Sequence, residues 1–325
     1  MLAAAFLLPG MDGWVVEWLR YLPYPLFLGM AGCALLLALW MPWRWRLLAL
    51  SALLAVLGPV MGAVVDGHPE GGSIPLRVMS FNTKSYLATS APDGFGRIAV
   101  EITMHNPDVL VMQDAQSIDD VDVAVGASVR PELKRLLGGR AAHVHGELVI
   151  ASRYPLRDCR SMVLGSGRAS ASALRCTLQV QGAEVDVLTT HFLSPRKGLN
   201  ATRSSWLAGW QAWAANFESR LTQSLALAGH LAARQRPLIL AGDLNAPEHS
   251  PVLRALLATG LRDAFSAAGQ GYGYTVGHSL RPGIGLLRID HVLTSPEIAI
   301  ERCEVGSADA SEHRPVVADL WLKRE

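Results

Sequence analysis

Residues 237–249 read PLILAGDLNAPEH, a short apolar run followed at once by polar residues. The run 238–241 has the length and composition of a buried β-strand. Gly242 ends the run, and its missing side chain lets another group approach the backbone closely. Asp243 and Asn245 follow, and in extended backbone two residues at this spacing point to the same side. The pattern predicts a carboxylate and a carboxamide that leave one strand end together.

Two interpretations of Asp243 and Asn245 are open at this point. A hard anionic oxygen beside a neutral amide suits a metal-activated phosphate site. Asp and Asn are also common in Asx-type turns that close a strand, because their side chains hydrogen-bond to the local backbone. The rest of the chain has to decide between the two.

The charged residues are unevenly distributed. The chain has 325 residues, enough for one large domain with an appendage or for two domains. Residues 1–65 contain three of the 29 bases and two of the 28 acids, which leaves 26 of each for residues 66–325. This balance disfavours a nucleic-acid substrate, because non-specific affinity for DNA comes mostly from basic surface.

Two long apolar runs, 22–41 and 47–65, precede the charged part of the chain. Each is long enough to cross about 30 Å of hydrocarbon as a helix. The segment 42–46 between them reads PWRWR, with two arginines and no acid, so the positive-inside rule predicts a hairpin whose loop is cytoplasmic. The alternative, a buried hairpin of a soluble protein, is disfavoured because both runs are apolar on all faces.

These patterns divide the chain into three parts. Residues 1–66 are predicted to be a membrane anchor, in which an interfacial helix around 14–19 precedes the two transmembrane helices. Residues 67–74, GHPEGGSI, read as a flexible linker. Residues 75–325 then form a domain on the extracytoplasmic side of an inner or plasma membrane.

An aromatic stripe and a cysteine pair leave further questions. Trp206, Trp210, Trp213 and Phe217 fall on one face of a predicted helix, which packs on the domain or rests in the bilayer surface. The four cysteines include no CxxC spacing, which disfavours a zinc ribbon or a thioredoxin-type site. Cys159 and Cys176 lie symmetrically about a GSGR turn, and we hypothesise a disulfide between them if the compartment is oxidising. Cys303 is expected to be a buried thiol.

The domain reads as strands and helices without a repeat, which indicates a layered α/β fold. The predicted strands are 76–81, 108–113, 148–152, 174–180, 185–190, 238–241, 289–294 and 316–322, and the predicted helices are 97–106, 221–233 and 251–258. Polar side chains follow or open these strands repeatedly: Asn82, Asp114, His191, Asp243, Asn245, Asp290 and His313. The repetition predicts one rim that carries oxygen ligands and histidines.

Competing signatures are absent from the sequence. It has no GxSxG elbow, no GxxxxGK[ST] loop and no HExxH pair, and the GYG at 271–273 lacks the third glycine of a dinucleotide loop. His291 should point away from its neighbour Asp290 and have no catalytic role. His249 is expected at the surface.

The order of the motifs resembles the endonuclease/exonuclease/phosphatase superfamily, which has the DNase I-like fold. The matching stretches are RVMSFNT at 77–83, DVLVMQD at 108–114, LVIASRYPL at 148–156, VLTTH at 187–191, LAGDLN at 240–245, RIDHVL at 288–293 and SEHRPV at 311–316. The resemblance covers nearly all of residues 75–322. It implies a four-layer α/β sandwich of two packed sheets flanked by helices, and a Mg²⁺- or Mn²⁺-dependent hydrolase of phosphoester or phosphoanhydride bonds.

The resemblance also implies a role for each matched residue. The implied metal ligands are Asp114, Asn82 and Glu312. The implied catalytic residues are His191 at the scissile phosphate, Asp243 orienting or activating water, Asn245 steadying transition-state charge, His313 as acid/base or phosphate contact, and Asp290 orienting His313.

Two positions depart from the family pattern. The chain has Gln113-Asp114 where the family has Gln-Glu, and Ser311-Glu312-His313 where it has Ser-Asp-His. One side chain is thus shorter and the other longer by about 1.5 Å. The two changes offset each other around one ion, or the metal is weakly held or is Mn²⁺, or activity is lost. We expect retained activity, because no ligand is replaced by a non-ligand. Convergence of the Asp114 and Glu312 oxygens would favour an enzyme.

Two classes of function follow. The first is a membrane-anchored, outward-facing phosphohydrolase whose partners are the lipid bilayer and a phosphate-containing, lipid-linked substrate, an architecture similar to membrane-tethered bacterial members of the superfamily. A nuclease or a sphingomyelinase-like phosphodiesterase stays open within this class, with nucleic acid not favoured. The second is a catalytically inactive phosphate-recognition or partner-binding membrane protein.

Overall fold

The computed structural model describes residues 13–65, 67–115, 135–167, 170–279 and 284–323, without the side chains of Ser204 and Trp206. The helices in these ranges are α1 (Trp14–Arg20), α2 (Tyr24–Ala38), α3 (Trp43–Ala55, continued by a π-helical turn Val56–Val60), α4 (Ser85–Ser90), α5 (Gly94–His105), α6 (Arg196–Ser204), α7 (Trp206–Ala232), α8 (Pro251–Leu257) and α9 (Ala264–Ala268). Predictions for residues 1–12, 66 and 324–325 lie outside the described ranges.

Twelve strands in the described residues form two mixed sheets. They are β1 (Ile74–Asn82), β2 (Val109–Gln113), β3 (Ala141–His145), β4 (Leu148–Ser152), β5 (Leu156–Leu164), β6 (Ala171–Val180), β7 (Ala183–His191), β8 (Leu238–Asp243), β9 (Arg262–Asp263), β10 (Asp290–Thr294), β11 (Ala299–Val305) and β12 (Val316–Leu322). The sheet orders are β11-β12-β1-β2-β4-β3 and β5-β6-β7-β8-β10-β9.

The apolar residues divide into layers as strand alternation requires. Along β1, Val78 packs between the two sheets, whereas Met79 faces the outer helix α5. On the other side, Phe217 of α7 packs over Leu240 of β8. Helix, sheet, sheet and helix therefore stack in four layers, and the predicted α/β sandwich is confirmed.

Strand directions bring several chain ends to one edge. β1 runs parallel to β2, and β7 runs parallel to β8, while β10 is antiparallel to β8. In this register His191 pairs with Asp243, and Asp290 pairs with the same Asp243 from the other side. The sheet topology therefore sets the predicted polar rim.

The N-terminal helices differ from the predicted spans. Prolines at 23 and 42 precede α2 and α3, because proline fits a helix start but not its interior. Among the described residues, one helix, residues 43–60, is long and apolar enough to cross a membrane; a second results only if α1 and α2, bent by 83°, count as one span. The arginines predicted in the loop instead begin α3, and Arg46 donates hydrogen bonds to the carbonyls of Met41 and Leu39.

The aromatic stripe meets the N-terminal helix. Trp213 and Phe217 are buried, so the prediction that the stripe packs against protein is confirmed for them. Trp210 contacts Trp14 and Trp18 of α1, with ring centroids 5.4 and 5.1 Å apart. The helix predicted to lie in the membrane interface therefore packs on α7, since its indoles find aromatic partners there.

The predicted linker is held along the domain rather than free. The Glu70 carboxylate accepts hydrogen bonds from Arg262 at 2.6 and 3.0 Å, and the Glu70 amide donates to the Ile300 carbonyl at 2.8 Å. The amide of His68 likewise donates to the Ala267 carbonyl. The glycine-rich composition allowed flexibility, but these tertiary contacts fix the segment.

Cys159 and Cys176 form a disulfide across the β5–β6 hairpin, as hypothesised, and they are 17 residues apart in sequence. Cys303 is a buried free thiol, also as expected, and Cys33 is exposed. A disulfide of this span stabilises a fold mainly by restricting the unfolded chain.

We expect the Cys159→Ala/Cys176→Ala protein to lose about 3 kcal/mol of unfolding free energy, because its unfolded chain gains conformational entropy. Chemical denaturation followed by tryptophan fluorescence measures the loss, with Cys33→Ala as the control. Modification of all four cysteines by a maleimide in unfolded, unreduced protein would contradict the disulfide.

A buried carboxylate anchors the loop between β11 and β12. Glu101 of α5 accepts hydrogen bonds from the amide and hydroxyl of Ser307, at 2.7 and 2.5 Å, and its Oε1 lies 3.1 Å from His105 Nε2. Burial raises the pKa of Glu101, but the hydrogen bonds from His105 and Ser307 outweigh burial and lower the pKa from 4.5 to about 2. The loop anchored in this way carries His313.

The anchor gives the fold an acid-sensitive contribution. A carboxyl whose folded pKa is depressed stabilises the fold above its unfolded pKa and loses that contribution as pH falls. The difference in unfolding free energy between wild type and Glu101→Gln should therefore shrink as pH falls from about 4.5 towards 2. Denaturation at several pH values tests this, with Glu184→Gln as a surface control; a pH-independent difference would rule the anchor out.

Candidate functional site

The rim at the ends of the strands brings the predicted polar residues together. Asn82 ends β1, and its Nδ2 donates a 2.9 Å hydrogen bond to Asp243 Oδ2 at the end of β8. This bond crosses from one sheet to the other. Asp114 follows β2 and His191 ends β7, both at the same edge. The convergence agrees with the rim that the strand-end pattern predicted.

Asp243 closes an Asx turn and also faces the rim, so both interpretations of its motif apply. Its Oδ1 accepts the amide of Asn245 at 2.9 Å, which is an Asx turn, while Oδ2 faces the rim. The strand ends at Asp243 and Asn245 has φ +45°, so the extended spacing expected between them is wrong. The Asn245 side chain donates to the Phe192 carbonyl at 2.8 Å.

Gly242 admits a neighbouring strand rather than a ligand. A Cβ built on Gly242 would lie 2.2 Å from the Thr190 carbonyl oxygen of β7. The close approach predicted from this glycine is therefore real, but it serves the parallel pairing that aligns His191 with Asp243.

His313 and Asp290 form the pair that the resemblance implied. His313 Nδ1 lies 2.9 and 3.1 Å from the two Asp290 oxygens and 3.8 Å from Asp243 Oδ2. Burial lowers the pKa of His313, but the Asp290 and Asp243 carboxylates outweigh burial and raise it. Burial together with the charge of Asp290 raises the pKa of Asp243. One imidazole and two carboxyl groups thus share a buried site.

A second group lies beside the first. Ligand atoms of Asp114, Glu147 and His191 all lie within 4.8 Å of one another. His191 Nδ1 is 3.1 Å from Glu147 Oε1, and His191 Nε2 is 3.4 Å from Asp243 Oδ2. His191 therefore stands between the two groups and links them.

Positive charge is favoured in the second group. Burial lowers the pKa of His191, but its hydrogen bond to Glu147 and the nearby carboxylates of Asp243 and Asp114 outweigh burial and raise the pKa to about 9. The ammonium of Lys84 also pairs with Asp114. Burial raises the pKa of Asp114, yet His191 and Lys84 outweigh it, and the pKa lies below its usual value.

Glu312 belongs to neither group in the described residues. Its Oε2 accepts a hydrogen bond from Arg196 Nη2 at 3.1 Å, and its side chain is 28% exposed. Asp114 and Glu312 do not form one group, so the convergence that would have favoured an enzyme is not seen; the carboxylate beside Asp114 is that of Glu147.

Sequence reasoning missed Glu147 and Lys84. Glu147 follows Gly146, which has φ +59°, in the tight turn between β3 and β4. The sequence HGE before an apolar run signals such a turn, but β3 was not predicted, so the position of Glu147 was hidden. Lys84 has φ +45° and follows the Asn82 motif by two residues.

His291 and His249 lie outside the rim. His291 Nδ1 contacts Asp263 Oδ2 at 2.7 Å and its Nε2 donates to the Ala246 carbonyl, so the imidazole faces away from the rim group. His249 was expected at the surface, and its Nε2 donates to the Pro59 carbonyl at 2.8 Å.

Several solved structures share the fold of this chain. The endonuclease/exonuclease/phosphatase of Beutenbergia cavernae DSM 12333 is 24% identical with a TM-score of 0.55, over 77% of this chain and 72% of that chain. The corresponding protein of Bacteroides vulgatus is 17% identical with a TM-score of 0.56, over 77% and 100%. The Bacteroides thetaiotaomicron VPI-5482 mannosyl-6-phosphatase Bt3783 is 16% identical with a TM-score of 0.51, over 75% and 99%.

At these identities the solved structures show a common fold. A comparison with curated proteins finds no match. The model of the Endonuclease/Exonuclease/phosphatase family, by contrast, matches residues 79–313, which include all the rim residues described above. The chain therefore belongs to the endonuclease/exonuclease/phosphatase family of phosphoester hydrolases, with the DNase I-like fold.

Proposed function

We propose that this protein is a membrane-anchored, divalent-metal-dependent phosphohydrolase that cleaves a phosphoester or phosphoanhydride of a lipid-linked substrate. The observation that carries the proposal is the 2.9 Å contact between Asn82 and Asp243 at a rim that also holds His191 and the His313–Asp290 pair. Hydrolysis needs this combination of a proton acceptor, an oriented imidazole and groups that offset phosphoryl charge.

The carboxylates of Asp114 and Glu147 fit a divalent cation. Ligand atoms of these two carboxylates and of His191 lie within 4.8 Å of one another, and carboxylates suit both Mg²⁺ and Mn²⁺. The family pattern implies Asn82 as a further metal ligand, and its carboxamide oxygen would be a neutral one. A bound divalent ion offsets phosphoryl charge and lowers the pKa of water.

The protein's own groups suggest a division of labour. Asp243 has a raised pKa, which suits a group that orients water and accepts its proton. His313, held by Asp290, is placed to serve the leaving group, and the protonated His191 to contact a phosphate oxygen. Asn245 would steady charge at the same rim through its carboxamide.

The N-terminal hairpin supports membrane attachment. Large apolar side chains cover its outer surface, with exposed fractions of 60–82% for Leu36, Leu37, Trp40 and Trp43. Soluble proteins rarely expose contiguous apolar surface of this kind. A lipid-linked substrate would share the membrane with this anchor.

Two independent features support the proposed orientation. The Cys159–Cys176 disulfide persists in an oxidising compartment, which points to the extracytoplasmic side for the domain. Arg44 and Arg46 lie in the first turn of α3, at the end of the hairpin where its two helices meet, and the positive-inside rule assigns this end to the cytoplasm. The equal numbers of acids and bases in the domain favour a lipid-linked phosphate over nucleic acid.

The metal site gives a paired test. Glu147→Gln should weaken Mn²⁺ binding to the full-length protein by about tenfold to a hundredfold, because an anionic oxygen is lost from the donor set. Glu312→Gln, at the Arg196 pair, should leave the affinity unchanged. Titration calorimetry and electron paramagnetic resonance of Mn²⁺ measure both. The reverse pattern would assign the metal to Glu312, as the family motif implied.

The catalytic assignment is tested with the full-length protein in lipid nanodiscs. A panel of lipid pyrophosphates, phospholipids, nucleotides and DNA should identify a substrate whose hydrolysis EDTA abolishes. Asp243→Ala should lower kcat by about 10² to 10⁴, because the proton acceptor is removed. Release of phosphate is measured, and full turnover by the purified variant would refute the assignment.

A further inference from the structure

A buried ionic network joins α1 to the catalytic domain. Glu17 and Arg220 are each fully buried, and Arg220 Nη1 lies 3.3 Å from Glu17 Oε1. The same Glu17 oxygen accepts the Ser250 hydroxyl at 2.7 Å, and Arg20 pairs with its other oxygen at 3.3 Å. Glu17 and Arg20 of α1 are therefore buried against the domain.

The network ends on the backbone beside Asp243. Arg220 Nη1 donates to the Asn245 carbonyl at 2.9 Å and also to the Tyr21 hydroxyl. The Tyr21 hydroxyl in turn donates to the Asn245 carbonyl. The amide of Asn245 donates to Asp243 Oδ1, so two groups of one residue connect the N-terminal segment to the rim carboxylate.

Stability alone does not explain this arrangement. Burying an ion pair costs desolvation energy, and apolar residues of similar volume often stabilise a fold as well. Asn245 has φ +45°, a left-handed conformation that asparagine adopts more readily than most residues and that directs its carbonyl to Tyr21 and Arg220. The Arg220 guanidinium also lies over the rings of Tyr21 and Trp213, 5.1 and 5.5 Å from their centroids, which fixes its direction.

Other contacts hold the hairpin on the far side of the same loop. Tyr24 of α2 stacks on Tyr274 with centroids 5.3 Å apart, and His249 donates to the Pro59 carbonyl. The loop 244–250 is thus clamped at Asn245 by the segment before the hairpin and at His249 by the segment after α3.

We propose that Tyr21, Arg220 and Glu17 are positioning residues that hold the Asn245 carbonyl and thereby fix Asp243. The segment 14–21 then contributes to the catalytic site in addition to preceding the membrane anchor. The inference rests on the proposed role of Asp243. A fragment that begins at the linker lacks Tyr21 and Glu17. Its Arg220 cation and Asn245 carbonyl therefore lose these two partners.

The test compares two identical changes in the full-length protein in lipid nanodiscs. Tyr21→Phe removes the hydroxyl on the Asn245 carbonyl, whereas Tyr24→Phe, three residues later, keeps its ring on Tyr274. Tyr21→Phe should lower kcat about tenfold with KM unchanged, because misplacement of a catalytic group affects the chemical step. Tyr24→Phe should match wild type. Arg220→Lys should retain more activity than Arg220→Met, since only lysine keeps a cation at this place.

Amide hydrogen exchange on the same samples measures how well the loop 244–250 is held, and it needs no known substrate. In Tyr21→Phe, the peptide covering residues 244–250 should exchange faster, while β6 and the unfolding midpoint stay as in wild type. Unchanged exchange in this peptide, or equal losses of kcat in both tyrosine variants, overturns the positioning role. If wild type is inactive on every substrate but Tyr21→Phe still accelerates exchange in this peptide, the proposed function is refuted, whereas the contact of Tyr21 with the loop is supported.

Discussion

The hydrogen bond from Asn82 to Asp243 joins the two sheets at the rim, and the site depends on the sheet packing that keeps it at 2.9 Å. Neither strand controls this distance alone, because β1 and β8 belong to different sheets. The apolar layer between the sheets, with Val78 and Ile239 among its members, sets their separation. Close-packed interiors resist shear, so the core fixes the catalytic geometry as well as the fold.

The electrostatics of the rim follow from this closeness. Carboxylates buried near one another raise the cost of ionisation, which is why the pKa of Asp243 is raised. The imidazoles of His191 and His313 offset that cost, and Lys84 does so at Asp114. Each acid therefore has a basic neighbour, and the site can exchange protons without leaving a buried charge unpaired. A divalent cation would favour the ionised carboxylates, whereas a phosphate substrate would favour the protonated imidazoles.

The hairpin contacts the domain at both of its ends and is not joined to it by a flexible linker alone. The segment before the hairpin reaches the loop after β8 through Tyr21, and the segment after it runs along the domain through Glu70. Both ends of the apolar hairpin are thereby held by the catalytic domain. Such a connection fixes the position of the rim relative to the hairpin, which a flexible linker would not do. For a substrate embedded in a bilayer, this fixed relation limits which part of the molecule reaches Asp243.

The sequence by itself determined the type of most elements and the residues that end their strands, because apolar periodicity and strand ends are local properties. The strand ends predicted a shared rim for Asn82 and Asp243, and the family resemblance implied that Asp290 orients His313; both contacts are present. Only the tertiary structure decided that Glu147 rather than Glu312 stands beside Asp114, since each depends on which distant segment packs nearby. It likewise decided the burial of α1. Side-chain partners hundreds of residues apart are set by packing to within fractions of an ångström, and no local pattern carries that information.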